Sequence, residues 1–229
     1  FQKTTEFEQR LCDFLQVPHA TVVTSGTAAL YIALLALGIG PGDSVIVPDF
    51  TMIATPNAVR WAGAEPILCD IDRGTLCLDL NKVELRPNTK ALMYVPINGR
   101  SGDIQQVREF CRRHGLYLIE DACQALGSQW GGQKLGTFGD IGVFSFTPHK
   151  IITTGQGGAV VTHDEDIAAQ VRKLKDFHRT KPGVDLHDGI GFNFKFTDLQ
   201  AVIGIEQIKI IEERIAGRRH VWRTYAEAL

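Results

Sequence analysis

Residues 143–158 read VFSFTPHKIITTGQGG. The segment begins as a buried strand, Val143-Phe144-Ser145-Phe146, and runs into Pro148 and His149. One lysine follows, Lys150, and then a turn carrying Thr153, Thr154 and three glycines. A lysine between an apolar strand and a glycine-rich turn has two readings. It is a solvated loop charge, the ordinary state of lysine, or it is a desolvated amine that joins a carbonyl covalently. A lysine brought into an apolar setting gives up its proton more readily, and the free amine is the form that attacks a carbonyl. The rest of the chain decides between these.

Short β-rich runs alternate with amphipathic stretches on both sides of this segment. ATVVTS (residues 20–25), DSVIVP, EPILCDI, KALMYVPI, LYLIED, IGVFSF and GGAVVT read as strands. Residues 28–37 read as a helix stopped by Gly38, and residues 54–61 as another. Asp103 caps a helix whose Ile104, Val107, Phe110, Cys111 and His114 share a face, with Gly115 ending it. Asp164 caps a helix with Ile167, Val171 and Leu174 on one side. Thr197 and Gln200 form a capping-box pattern that opens one long helix through Leu199, Ile203, Ile211 and Ile215. Strands without a polar face, alternating with helices, predict a mostly parallel sheet covered on both sides. The final helix ends at Leu229 with nothing after it to pack upon, so a second, smaller domain is expected outside residues 1–229. The segment from 180 to 189, TKPGVDLHDG, reads as a surface connection or a substrate-covering loop.

Composition narrows the function classes. The 229 residues are 44% hydrophobic and 22% charged, and 24 basic against 26 acidic residues leave a net charge of −2. That balance has no basic block for nucleic acid, and no apolar run is long enough for a bilayer. No secretion signal is read at Phe1. Five cysteines, Cys12, Cys69, Cys77, Cys111 and Cys123, include no C-x-x-C pair. Most are expected as packing residues in a reducing cytoplasm, and no zinc site or disulfide framework is expected.

Ligands of open parallel sheets sit at the carboxyl ends of the strands, where four groups fall. TSGTAAL (residues 24–30) places Gly26 and Thr27 between a strand and a helix start. The free N–H groups there attract a phosphate, and Gly26 allows close approach; a plain cap by Ser25 or Thr27 is the alternative. Asp121 ends a buried strand, as a partner for a protonated ring nitrogen or as a structural cap. Its neighbour Glu120 points to the other side of the strand. Ser145 lies five residues before Lys150 and is placed to donate to a phosphate. Asn193 stands between Phe192 and Phe194, either as a turn residue or as a pinned contact. In this order, the phosphate turn, strand-end acid, lysine and glycine turn are what pyridoxal phosphate needs.

At this point the sequence resembles the DegT/StrS-type sugar aminotransferases, of the aspartate aminotransferase fold (fold type I). TSGTAAL, VPDFTMIATPNAV, IEDACQALGS, FGDIGVFSF, HKIITTGQGGAVVT and GFNFKFTDLQAVIG carry the resemblance in order and spacing. It implies that residues 1–229 are a large pyridoxal-phosphate-binding domain, with the family's C-terminal small domain largely missing from the chain. It implies Lys150 as the Schiff-base lysine and Asp121 as the carboxylate on the pyridine nitrogen. Gln124 matches a residue near the ring's phenolic oxygen, and Gly26, Thr27 and Ser145 match the phosphate site. Met52 matches a residue lying over the ring, a place often aromatic in the family. Asn193 matches a residue that reaches the phosphate of a neighbouring subunit, which implies a homodimer with shared sites.

A dehydratase branch of the family has histidine in place of the lysine, and here His149 and Lys150 adjoin. Counting back five residues from Gly155 reaches Lys150, the aminotransferase register. INGRSGD (residues 97–103) puts Asn98 and Arg100 near the expected substrate mouth. The implied reaction moves an amino group from glutamate or glutamine to a nucleotide-linked keto-sugar. A non-catalytic cofactor-binding protein and a truncated fragment are the alternatives from other classes.

Overall fold

The structure is a computed structural model that describes residues 2–181 and 183–229. Phe1, and Pro182 within the loop read at residues 180–189, lie outside the described residues. Seven strands form one sheet: β1 (His19–Val23), β2 (Ser44–Pro48), β3 (Glu65–Cys69), β4 (Thr89–Tyr94), β5 (Tyr117–Asp121), β8 (Ile141–Ser145) and β9 (Gly158–Thr162). Their spatial order is β1-β9-β8-β5-β4-β2-β3. β9 runs antiparallel to both β1 and β8, and the other pairings are parallel. A separate hairpin, β6 (Gln129–Trp130) and β7 (Gln133–Lys134), turns on Gly131 and Gly132, both at positive φ.

The lack of polar alternation in the strands has a direct cause. Successive side chains point to opposite faces, and both faces are covered. Ile46, Leu92, Leu118 and Phe144 pack with α1 (Gln2–Leu15), α4 (Ile104–His114) and α6 (Asp198–Lys209). Their neighbours Val45, Val47, Met93, Ile119 and Val143 pack with α2 (Gly26–Ala36), α3 (Ala54–Trp61) and α5 (Glu165–Lys175). Cutting a fully buried side chain such as Phe144 to alanine would cost about 3–5 kcal/mol.

The caps form as the sequence predicts. Asp103 accepts from the N–H groups of Gln105 and Gln106, and Asp164 from those of Asp166 and Ile167. Thr197 and Gln200 make the reciprocal box, and Gly115 ends α4 at φ 63°. Three details differ. α2 begins at Gly26, two residues before the predicted start. α1 has no counterpart in the sequence reading. The single long helix from Thr197 is two, α6 and α7 (Ile211–Ala228), divided at Ile210 (φ −107°, ψ 14°). The Ile210 N–H bonds to Gln207 O, an i→i−3 closure that tightens and ends the last turn of α6.

Cys12, Cys69, Cys77 and Cys111 are buried thiols. Burial pushes Cys69 up to about 11 and Cys111 up to about 12, which suits packing and not reactivity. No helix among the described residues is long and apolar enough to cross a membrane.

Candidate active site

β5 is the middle strand of the seven and ends on two acids. Alternation sends Glu120 to the face of Leu118 and Asp121 to the face of Ile119. Glu120 is fully buried and accepts from the N–H groups of Gly136 (2.7 Å), Phe138 (2.6 Å) and Gly139 (2.8 Å). Burial pushes its carboxyl up, and the three N–H groups pull the other way. Gly136 must be glycine for the loop to lie there: its φ is 89°, and a Cβ would stand 2.4 Å from the Phe144 ring.

Asp121 is 5% exposed and sits toward α3. Its Oδ2 accepts from Thr55 Oγ1 at 2.7 Å, and its Oδ1 from the N–H of Cys123 at 3.3 Å. Desolvation drives the Cys123 thiol well above its ordinary value. The Asp121 carboxylate raises it further, and the Lys150 ammonium opposes the shift.

Cys123 also lines a cavity of about 970 Å³. Met52, Gln124, Ser145 and Lys150 line it, together with Arg100 and Trp222. Lys150 reaches it from a turn just beyond β8, where its N–H bonds to Thr147 O. Gln124 Oε1 accepts from the N–H of Asn98, leaving the amide nitrogen as its donor end. Met52 is 58% exposed at the rim.

Gly26 brings the helix end and Ser145 together. Ser25 caps α2 by accepting from the N–H of Ala28 at 3.1 Å. A Cβ on Gly26 would stand 2.8 Å from Ser145 Cβ and 3.2 Å from its Oγ. Only glycine lets the Ser145 hydroxyl close on the first turn of α2, which Thr27 continues. N–H groups at a helix start beside a hydroxyl make an anion cradle. The cap reading of Ser25 and the cradle reading of Gly26 therefore both hold at one helix end.

A carboxylate behind Cys123, an amine at the wall and an anion cradle beside Ser145 fit pyridoxal phosphate. Asp121, Gly26, Thr27 and Asn193 are not among the residues lining the cavity; Asp121 adjoins it through Cys123, and Gly26 through Ser145 and Cys123. Asn193 is exposed, in a segment bridged to Asp176 of the same chain. The sequence reading missed Thr55. Thr51 and Thr55 stand four apart, but nothing in that spacing says which carboxylate they face.

The sequence model of the DegT/DnrJ/EryC1/StrS aminotransferase family matches residues 1–229. The chain belongs to this family. Its resemblance to a GDP-perosamine synthase of Caulobacter vibrioides is 43% identity over 231 residues, covering 98% of this chain and 61% of the relative. The chain thus spans about three fifths of the length of the curated relatives it matches. Among solved structures, the aminotransferase TlmJ from Streptoalloteichus hindustanus superposes with a TM-score of 0.95 at 33% identity, over 99% of this chain and 63% of that one. NtdA from Bacillus subtilis, with bound cofactor PMP, gives 0.84 at 36% identity, over 91% of this chain and 48% of that one. The DegT-family fold and the mostly parallel sheet agree with the fold class read from the sequence.

Proposed function

We propose that residues 1–229 form the pyridoxal-phosphate-binding domain of an aminotransferase that acts on a nucleotide-linked keto-sugar in the cytoplasm. One observation carries the reading: Lys150, Ser145 and Cys123 line one cavity, the buried Asp121 accepts from the Cys123 N–H, and Ser145 is held against the first turn of α2. Relatives named GDP-perosamine synthase make a GDP-linked keto-sugar the first acceptor to test. Glutamate or glutamine is the donor in this reading.

Bound pyridoxal phosphate supplies an aldehyde that captures amino groups and a ring that withdraws electrons from the carbon they leave. Lys150 would be the residue joined to it covalently, and Asp121 would hold the proton of the ring nitrogen. As a free amine, Lys150 Nζ would take the proton from the donor's α-carbon as general base and hand it back as acid. Gly26, Thr27 and Ser145 would hold the phosphate, the Gln124 amide would donate to the ring's phenolic oxygen, and Met52 would cover one ring face. Arg100 and Asn98 meet the acceptor at the mouth. Asn193 would act across a homodimer interface on the partner's phosphate, which accords with its exposure and its absence from the lining of its own cavity. A symmetric pair is the commonest soluble assembly.

Hydride reduction of the loaded protein followed by peptide mapping tests the lysine. The label is expected on Lys150 and absent from Lys150→Ala, which should lose all transamination. Label on Lys134 or Lys173 instead would overturn the assignment. Mixing Lys150→Ala subunits with Asn193→Ala subunits tests the shared site. Each is impaired alone, and exchange should regenerate one site with both residues intact. A mixture with no gain, although heterodimers form, removes the role of Asn193 in the partner's site.

A further inference from the structure

The proton count around Asp121 contains more than the contact itself. Thr55 Oγ1 lies 2.7 Å from Asp121 Oδ2 and 3.0 Å from Thr51 Oγ1. A hydroxyl carries one hydrogen, and a carboxylate only accepts. Thr55 therefore spends its hydrogen on Asp121, and Thr51 must donate to Thr55. The chain of donation runs one way, from Thr51 through Thr55 to Asp121. Thr55 is fully exposure-free, in the first turn of α3, 66 residues before the acid it serves. Thr51 is half-buried and immediately precedes Met52 at the cavity rim.

The two carboxylate oxygens are thus held by different parts of the molecule. Oδ2 is fixed by a side chain from α3, and Oδ1 by the backbone N–H of Cys123, two residues on. One bond alone leaves the carboxyl free to rotate; two from opposite sides set its plane. A bond donated to a carboxylate also favours its charged form. We propose that Thr55 is a positioning residue for Asp121, oriented in turn by Thr51, and that this hydroxyl relay ties the rim segment around Met52 to the buried acid behind Cys123. The inference rests on the reading that the site takes pyridoxal phosphate.

The test uses Thr55→Val, which keeps the shape and removes the hydroxyl, Thr55→Ser, which restores it, and Thr51→Val. Pyridoxal phosphate is titrated into each, reading the dissociation constant and the visible absorbance of the bound cofactor across pH. Melting temperature controls for folding. Thr55→Val should bind about tenfold more weakly, the loss of one bond to a charged group. Its absorbance should also titrate differently with pH. Thr55→Ser should return close to the parent in both, and Thr51→Val should show a smaller shift of the same sign. If Thr55→Val fails to fold, Thr51→Val still reads the relay, and parent-like values there overturn it. Impairment of Thr55→Ser equal to that of Thr55→Val would show that the hydroxyl does not restore binding, and would overturn the positioning role. Unchanged binding and spectrum in Thr55→Val would remove the positioning role while the cofactor reading stands. A parent protein that does not take up pyridoxal phosphate would overturn the cofactor reading itself.

Discussion

Glu120 and Asp121 are consecutive carboxylates at the end of one strand, and they are held in opposite ways. Glu120 faces the α4 side and takes three backbone N–H groups from a single glycine-containing loop. Asp121 faces the α3 side and takes one hydroxyl and one N–H. Each carboxylate offers about four acceptor positions. Glu120 uses most of its capacity to pin residues 136–139 onto the sheet. Asp121 keeps capacity behind Cys123, a residue that lines the cavity. Burial is nearly the same for both, so burial alone does not identify a site. What separates them is how the acceptor capacity is distributed between the fold and the cavity.

The comparison can be broken at either acid. Asp121→Asn should keep the fold and melt close to the parent, yet slow transamination on the order of 10²–10³-fold. The neutral amide cannot hold the ring nitrogen's proton by charge, and that loss of rate corresponds to about 2.7–4.1 kcal/mol of barrier. Single-turnover kinetics checks it, and near-parent rates would make Asp121 structural. Glu120→Gln should do the reverse. Its amide nitrogen cannot accept, so at least one loop N–H is stranded at a cost of about 1–3 kcal/mol. The melting temperature should fall while any folded protein still binds cofactor.

An exposed carboxylate completes the scale at its weak end. Asp185 pairs with Arg179 and His187, and His187 also bonds to Phe177 O. The Phe177 carbonyl, then Asp185, raise the His187 imidazole above its ordinary value, and His187 and Arg179 lower Asp185. A raised histidine stabilises below its unfolded value, near 6.5, and the contribution is lost as pH rises through the folded value. Amide exchange across residues 177–190, corrected for intrinsic rates, should therefore show protection that fades as pH climbs past that point. The change should be the smallest of the three, because the pair is solvated and screened. Protection that grows with pH would contradict the assigned pairing.

Much of this was legible because local chemistry and tertiary structure agree. Asp103, Asp164 and Thr197 cap helices by bonds made within three residues, and such bonds can be read from spacing. Lys150, Asp121 and Ser145 stand at strand ends, where parallel sheets place ligands. The break at Ile210 was not legible, since apolar residues continue on both sides of it and Ile208 and Ile211 are both buried. The direction of β9 was hidden for a similar reason: a strand buried on both faces has the same pattern whichever way it runs. The Gly131-Gly132 dipeptide is a hairpin turn signal, but the two-residue strands beside it are too short to carry a pattern. Thr55 could not be found, because its meaning is a contact across 66 residues.

The antiparallel β9 also sets a timetable. It joins β1 to the sheet, pairing His19 with Thr162 and Val23 with Gly158. β1 therefore waits for a partner roughly 140 residues behind it. At about 5–20 residues per second that is roughly 7–28 s of synthesis without its strand partner. α1 waits longer, since it packs on α6. The turn that carries Lys150 is the connection that ends this wait, so the sheet closes in the nascent chain only after its lysine has been made.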